Sequence, residues 1–282
     1  MPDDVEAILW DDWHVIAERT TITLTGRLGT ALFGRALIVV RDGDGIAVFH
    51  GTRALPVRVH YDLVWTTLGT PAHEPLVLAE AGEMGRSIAP VGSLGIAVSG
   101  LRAVENFLDL GHLAFVHPGW IGDASSTAVA PYQVESTDEG LRMTGVRVYQ
   151  PHASPTASGG MQIDYTYTVH RPYTASLTKT NPLNPSRHDA LALFVQPVDE
   201  DHCVLHMLNL YLTDGDADQA ARRFTRHIES QDKPILENQR PTRLPLDPRA
   251  ELPVRSDACS LAYRRWLCVR GVRYGAIPAS VA

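Results

Sequence analysis

Glu105–His117 reads ENFLDLGHLAFVH and sets Asn106, Asp109 and His112 three residues apart, with a second histidine at His117. Residues three apart share a helix face, so these three should point the same way. A spacing of five turns His117 about 140° away on a regular helix. The helix is therefore expected to end or unwind near Ala114 to Val116, where Pro118-Gly119 supplies a stop. Two imidazoles could then converge on one metal ion, with two polar groups behind them. The other reading is a core helix whose histidines make ordinary hydrogen bonds. Asn106 and Asp109 sit in an otherwise apolar run of Phe107, Leu108, Leu110, Leu113, Phe115 and Val116. Polar groups are costly to bury there unless something uses them.

Working outward, residues 91–99 read as a strand leading into this helix, and residues 129–212 as an antiparallel sheet. GVRVYQ at 145–150 and MQIDYTYTVH at 161–170 alternate cleanly, and further strands follow at 176–180, 190–196 and 203–212. Half-buried antiparallel strands with helices to one side predict an α+β, helix-grip domain. Which face of the sheet points inward is left open. Asp214 and Asp216 are candidate caps for a helix running to about Gln239, with Ala217, Ala221, Phe224, Ile228 and Ile235 as its apolar stripe. On a helical wheel Asp232 falls about 40° from Ile228 and Gln239 lies near the stripe's centre, while Glu229 and Glu237 point away. Alternatively Pro234 breaks the helix and Asp232 caps the next segment. The tail offers a loop and a short helix from about Ser256, with its arginines at the surface or in subunit contacts.

Towards the N-terminus, residues 10–71 read as short strands. RALIVVR at 35–41, the DGDG turn at 42–45 and GIAVFH at 45–50 form a hairpin, and PVRVHY at 56–61 and DLVWTTL at 62–68 follow. The formal net charge is −7, which argues against a nucleic-acid surface. No apolar run approaches a membrane span and no signal peptide is visible, which predicts a cytoplasmic protein. Cys203, Cys259 and Cys268 are odd in number and lack a CxxC spacing, as expected of reduced core cysteines.

Glu-Asn-Phe-x-Asp-x-x-His-x-x-x-x-His at 105–117 resembles the iron-binding segment of Rieske non-haem iron oxygenases, and the resemblance runs through most of residues 73–282. It implies one Fe(II) per chain, held by His112, His117 and an aspartate in a Gln-Asp-Lys-Pro-like helix. QDKPILENQRP at 231–241 matches that helix at Asp232. Asp109 and Asn106 are implied to stand behind the histidines, and O2 is the co-substrate. The same resemblance divides the chain into a truncated Rieske-like β-module at 1–72 and a catalytic domain at 73–282.

One departure is informative. The family's N-terminal domain carries two Cys/His pairs around a 2Fe–2S cluster, but here no cysteine precedes Cys203. The chain builds no cluster, and His50 and His60 are expected to be surface or structural histidines. Electrons must then come from a Rieske-containing reductase, fed by NAD(P)H, or from a Rieske-containing homologous subunit, in a hetero-oligomer or trimer. The tail and motif order resemble the demethylase branch acting on aromatic and N-heterocyclic methyl groups. The expected activity is oxidative N-demethylation of a methylxanthine such as 7-methylxanthine, releasing formaldehyde. Such a small, flat, polar ring needs amide partners, for which Gln239 is the first candidate and Asn238 the second. The alternatives are demethylation or hydroxylation of another aromatic substrate, or a non-catalytic subunit of a hetero-oligomeric oxygenase.

Overall fold

Strands with one polar and one apolar face need a partner layer, and the central sheet here acquires one on each side. The computed structural model of the chain describes residues 4–155, 159–212 and 218–279. The N-terminal part contains α1 (Ala7–Trp10), β1 (His14–Glu18), α2 (Arg19–Thr25), β2 (Arg27–Leu32), β3 (Arg35–Asp42), β4 (Gly45–His50), β5 (Arg53–Ala54), β6 (Val57–His60) and β7 (Leu63–Thr66). β2 to β5 pair in sequence order, and β1, β7 and β6 form a second small sheet. The helix α2 was not expected from the β-branched run RTTITLT. Thr23 and Thr25 donate their hydroxyls back to the carbonyls of Arg19 and Thr21, and Gly26 closes the helix in the left-handed region (φ 72°).

After β8 (Arg86–Ile96) come α3 (Gly100–Leu108) and a single-turn α4 (Leu113–Val116). Then follow β9 (Gln133–Thr137), β10 (Gly140–Gln150), β11 (Met161–Arg171), β12 (Thr174–Thr180), β13 (His188–Pro197) and β14 (Cys203–Leu212). These strands make one seven-stranded antiparallel sheet in the order β8-β14-β13-β12-β11-β10-β9. Two longer helices, α5 (Asp218–Asn238) and α6 (Ala258–Val269), complete the fold. α3 packs on β13 and β12, and α5 on β8, giving the expected α+β, helix-grip arrangement. The expected caps Asp214 and Asp216, and Ala217 of the stripe, lie outside the described residues.

The outer face of β13 and β14, with Ala190, Ala192, Phe194, Leu208 and Leu210, packs against Trp13, Val15, Leu63 and Trp65 of the N-terminal strands. Gln196 Nε2 donates to Thr30 Oγ1 and to Ala31 O (both 2.7 Å), tying the two parts together. The inner face turns to α3 and α5. No helix among the described residues is long and apolar enough to cross a membrane.

Two expectations need correction. Cys203 and Cys259 are buried free thiols, but Cys268 is exposed near the end of α6, where the apolar stripe has turned away. Arg264 of the tail is buried, not at the surface. It donates to both oxygens of Glu105 (2.6 and 3.0 Å), while Arg102 donates to Glu105 (3.2 Å) and to Glu251 (2.7 Å). Burial raises the Glu105 pKa despite these two guanidinium partners. Removing one member of such a pair strands the other charge in the core. Arg264→Met is expected to cost about 3–5 kcal/mol in urea unfolding, and Arg264→Met with Glu105→Leu to recover most of it. A cost under about 1 kcal/mol for the single variant would refute the assignment.

Candidate metal centre

The helix carrying the motif ends earlier than its spacing suggested. α3 stops at Leu108 and Asp109 is extended (ψ 125°), so Asn106, Asp109 and His112 do not share one helix face. Asp109 Oδ1 accepts from the Gly111 amide (2.7 Å), an Asp-x-Gly turn that lets the chain restart as α4. His112 immediately precedes this one-turn helix and His117 immediately follows it. Standing at its two ends, the side chains converge despite their spacing of five.

α5 runs unbroken through Pro234, so Asp232 lies inside a helix and is not a cap. Its Oδ1 lies 3.3 Å from His112 Nε2 and 3.1 Å from His117 Nε2, and the two Nε2 atoms are 3.3 Å apart. The other face of each imidazole is committed. His112 Nδ1–H donates to Asp109 Oδ2 (3.2 Å), and His117 Nδ1–H donates to Gln231 Oε1 (2.8 Å). That tautomer leaves an Nε2 lone pair on each ring aimed at the same point as Asp232 Oδ1. Oδ1 is buried and has no hydrogen-bond partner among the described residues.

Three converging lone pairs with no proton between them are a cation's ligand set. His112, His117 and Asp232 are the described group that could hold a metal. A triangle of about 3 Å edges is what bonds of about 2.1 Å at right angles give, with three further positions open. The electrostatics agree. Burial alone would lower the His112 pKa, but Asp109 and Asp232 hold it up at about 9. Burial would raise Asp232, but the two imidazoles hold it down at about 2. Both shifts mark a position where positive charge is favoured.

A mainly apolar cavity opens at this triangle. Its sheet wall is formed by alternate residues, Tyr165 and Tyr167 of β11, Leu177 and Lys179 of β12, Leu191 of β13, and Met207 and Tyr211 of β14. That fixes the inward face the sequence left open. α5 contributes Phe224, Thr225, Ile228 and Glu229, and Asn106 also lines the cavity, without a hydrogen bond to either histidine.

The substrate candidates are not brought here. Asn238 is exposed at the end of α5 and donates its amide to Pro234 O (2.7 Å). Gln239 lies beyond the helix and lines a separate cleft with Arg102, Glu105 and Asp109. The wheel was extended one residue too far. Glu229, expected to point outward, is buried against the cavity, while Ile235 is 44% exposed and Leu236 is buried in its place. Burial pushes the Glu229 carboxyl up to about 8. Gln231 was also missed; its one signal was adjacency to Asp232.

Residues 97–270 match the family Vanillate O-demethylase oxygenase C-terminal domain. A probable methylxanthine N7-demethylase of Pseudomonas sp. (strain TJI-51) is 39% identical over 275 residues, covering 94% of this chain and 95% of that protein. A methylxanthine N3-demethylase of Pseudomonas putida is 28% identical over 169 residues, 58% of this chain and 45% of the relative. Among solved structures, the methylxanthine N1-demethylase of Pseudomonas putida CBB5 with caffeine superposes with a TM-score of 0.77 at 19% identity, covering 94% of this chain and 92% of that one. Dicamba monooxygenase bound to dicamba gives 0.61 at 14% identity, covering 97% and 92%. These two share the fold. With the family match spanning the motif helices and the sheet, and a relative similar along nearly its whole length, the chain belongs to the vanillate O-demethylase oxygenase C-terminal-domain family and is the catalytic subunit of a Rieske-type oxygenase.

Proposed function

We propose that the chain is a non-haem iron N-demethylase acting on a methylxanthine, 7-methylxanthine or a close analogue, and that its electrons come from a separate Rieske-containing partner. The observation that carries this reading is the triangle of His112, His117 and Asp232 at the mouth of an apolar cavity, in a chain similar to a probable methylxanthine N7-demethylase. Iron(II) bound there with open positions would supply O2 activation.

The chain's own residues then have separate tasks. Asp109 and Gln231 fix the two imidazoles in the tautomer that leaves Nε2 free. The aromatic and aliphatic walls exclude water from the methyl carbon. Asp109, with its side chain 30% exposed, joins His112 to the neighbouring cleft and gives a partner's electrons a short way in. In the balanced reaction one oxygen atom enters the N-methyl group. The resulting N–CH2OH loses formaldehyde, leaving N–H, and the second oxygen leaves as water with two electrons and two protons. Zero formaldehyde from 7-methylxanthine, with the iron-loaded protein and a competent Rieske reductase, would sink this reading.

Lys179 supports a second substrate class. Among the described residues no arginine lines the cavity, but this buried lysine does, and it could meet the carboxylate of a methoxylated aromatic acid. Running such an acid beside 7-methylxanthine in the formaldehyde assay separates the two. The N-demethylase reading expects turnover of the heterocycle at least tenfold above the acid.

A further inference from the structure

Two polar side chains of the cavity are left without an adequate partner by the rest of the described residues. Glu229, on α5, is 5% exposed, and its Oε1 is buried with no hydrogen-bond partner among the described residues. Lys179, on β12, is also 5% exposed. It spends one N–H on Ala153 O (2.8 Å) and forms no salt bridge among the described residues. The rings of Tyr211 and Phe224 stand 5.8 and 5.9 Å from its Nζ. Buried polar groups are normally paired, so a cavity with one unmatched acceptor and one undersubscribed donor is shaped for a ligand carrying their complements. Glu229 precedes Asp232 by three residues on α5, so whatever it holds lies beside the metal triangle.

We propose that Glu229 and Lys179 determine the specificity of this cavity, Glu229 accepting a ring N–H and Lys179 donating to an exocyclic carbonyl, so that the substrate is a partly methylated heterocycle keeping a free lactam N–H. This rests on the methylxanthine reading and narrows it. The requirement holds while Oε1 is the acceptor, either in the carboxylate or in a neutral carboxyl whose proton sits on Oε2, and it then needs a donor opposite it. A ring methylated on every nitrogen that could bear hydrogen has none to offer. A site with a buried hydrogen-bonding group rejects the analogue that cannot satisfy it far more strongly than an apolar pocket rejects an extra methyl.

The test is calorimetric titration of the anaerobic Fe(II)-loaded protein with 7-methylxanthine, which keeps two ring N–H groups, and with caffeine, which keeps none. Wild type should bind 7-methylxanthine about tenfold or more tightly than caffeine. Glu229→Leu, similar in size, should bring the ratio close to one. Glu229→Gln, whose amide oxygen still accepts, should largely keep it. Lys179→Met should weaken both ligands by a similar factor, since both carry the carbonyls. A wild-type ratio near one, or a ratio that survives Glu229→Leu, overturns the role of Glu229 and leaves the methylxanthine reading standing. Unchanged affinities in Lys179→Met overturn the lysine's part. Failure of wild type to bind either ligand refutes the methylxanthine reading and this inference with it.

Discussion

Asp232→Ala protein, reconstituted anaerobically with Fe(II), should retain about a tenth or less of the iron held by wild type, which should carry about one ion per chain. The carboxylate is the one anionic ligand among the three, and its Oδ1 has no hydrogen bond among the described residues to fall back on. Without it, two neutral imidazoles 3.3 Å apart must hold a divalent cation with no charge to offset it. Asp109→Asn is the informative companion. It keeps all three ligand atoms and changes only the partner of His112 Nδ1, so iron affinity should fall by about 10–100-fold without vanishing. Metal analysis after gel filtration distinguishes the two. Iron retained in full by Asp232→Ala would mean that these residues are not the ligand set.

Gly122→Ala should be nearly as damaging, although the residue ligates nothing. A methyl group built on Gly122 would stand 1.9 Å from the carbonyl oxygen of Leu113 and 2.3 Å from its carbon. That oxygen accepts the His117 amide (3.1 Å) and so closes the single helical turn between the two histidines. Backbone must move, and it is the backbone that sets the distance between the imidazoles. A loss of about 2–4 kcal/mol in urea unfolding is expected, together with weakened iron binding. Gly29→Ala, whose methyl meets nothing within 4 Å, should stay within about 0.5 kcal/mol of wild type. Equal stabilities for the two variants would show that the Gly122 contact yields without cost.

What was legible from the residues followed from how many faces of each element are buried. β11 alternates because its two faces meet different surroundings, and it was read correctly. β13 and β14 are buried on both faces, one against the cavity and one against the N-terminal strands, so their near-continuous apolar runs carry no mark of which side faces in. Asp232 stood out as a carboxylate near an apolar stripe. Glu229 did not, because a wheel assigns charge to solvent by default and says nothing of a carboxyl kept in a cavity. The early end of α3 was written in Asp109-Leu110-Gly111, a turn signal outweighed in the reading by regular spacing of polar residues.

The two-sided burial of β13 and β14 bears on why the N-terminal strands are there at all. No cysteine precedes Cys203, so these strands carry no thiolate for a redox centre. Yet Trp13 and Trp65 cover Phe194 and the leucines behind it, on the reverse of the wall that faces the cavity. Cutting the chain after residue 72 would not release an idle appendage. It would strip the insulation from the back of the sheet, leaving a wet, adhesive surface on the reverse of the wall that lines the cavity.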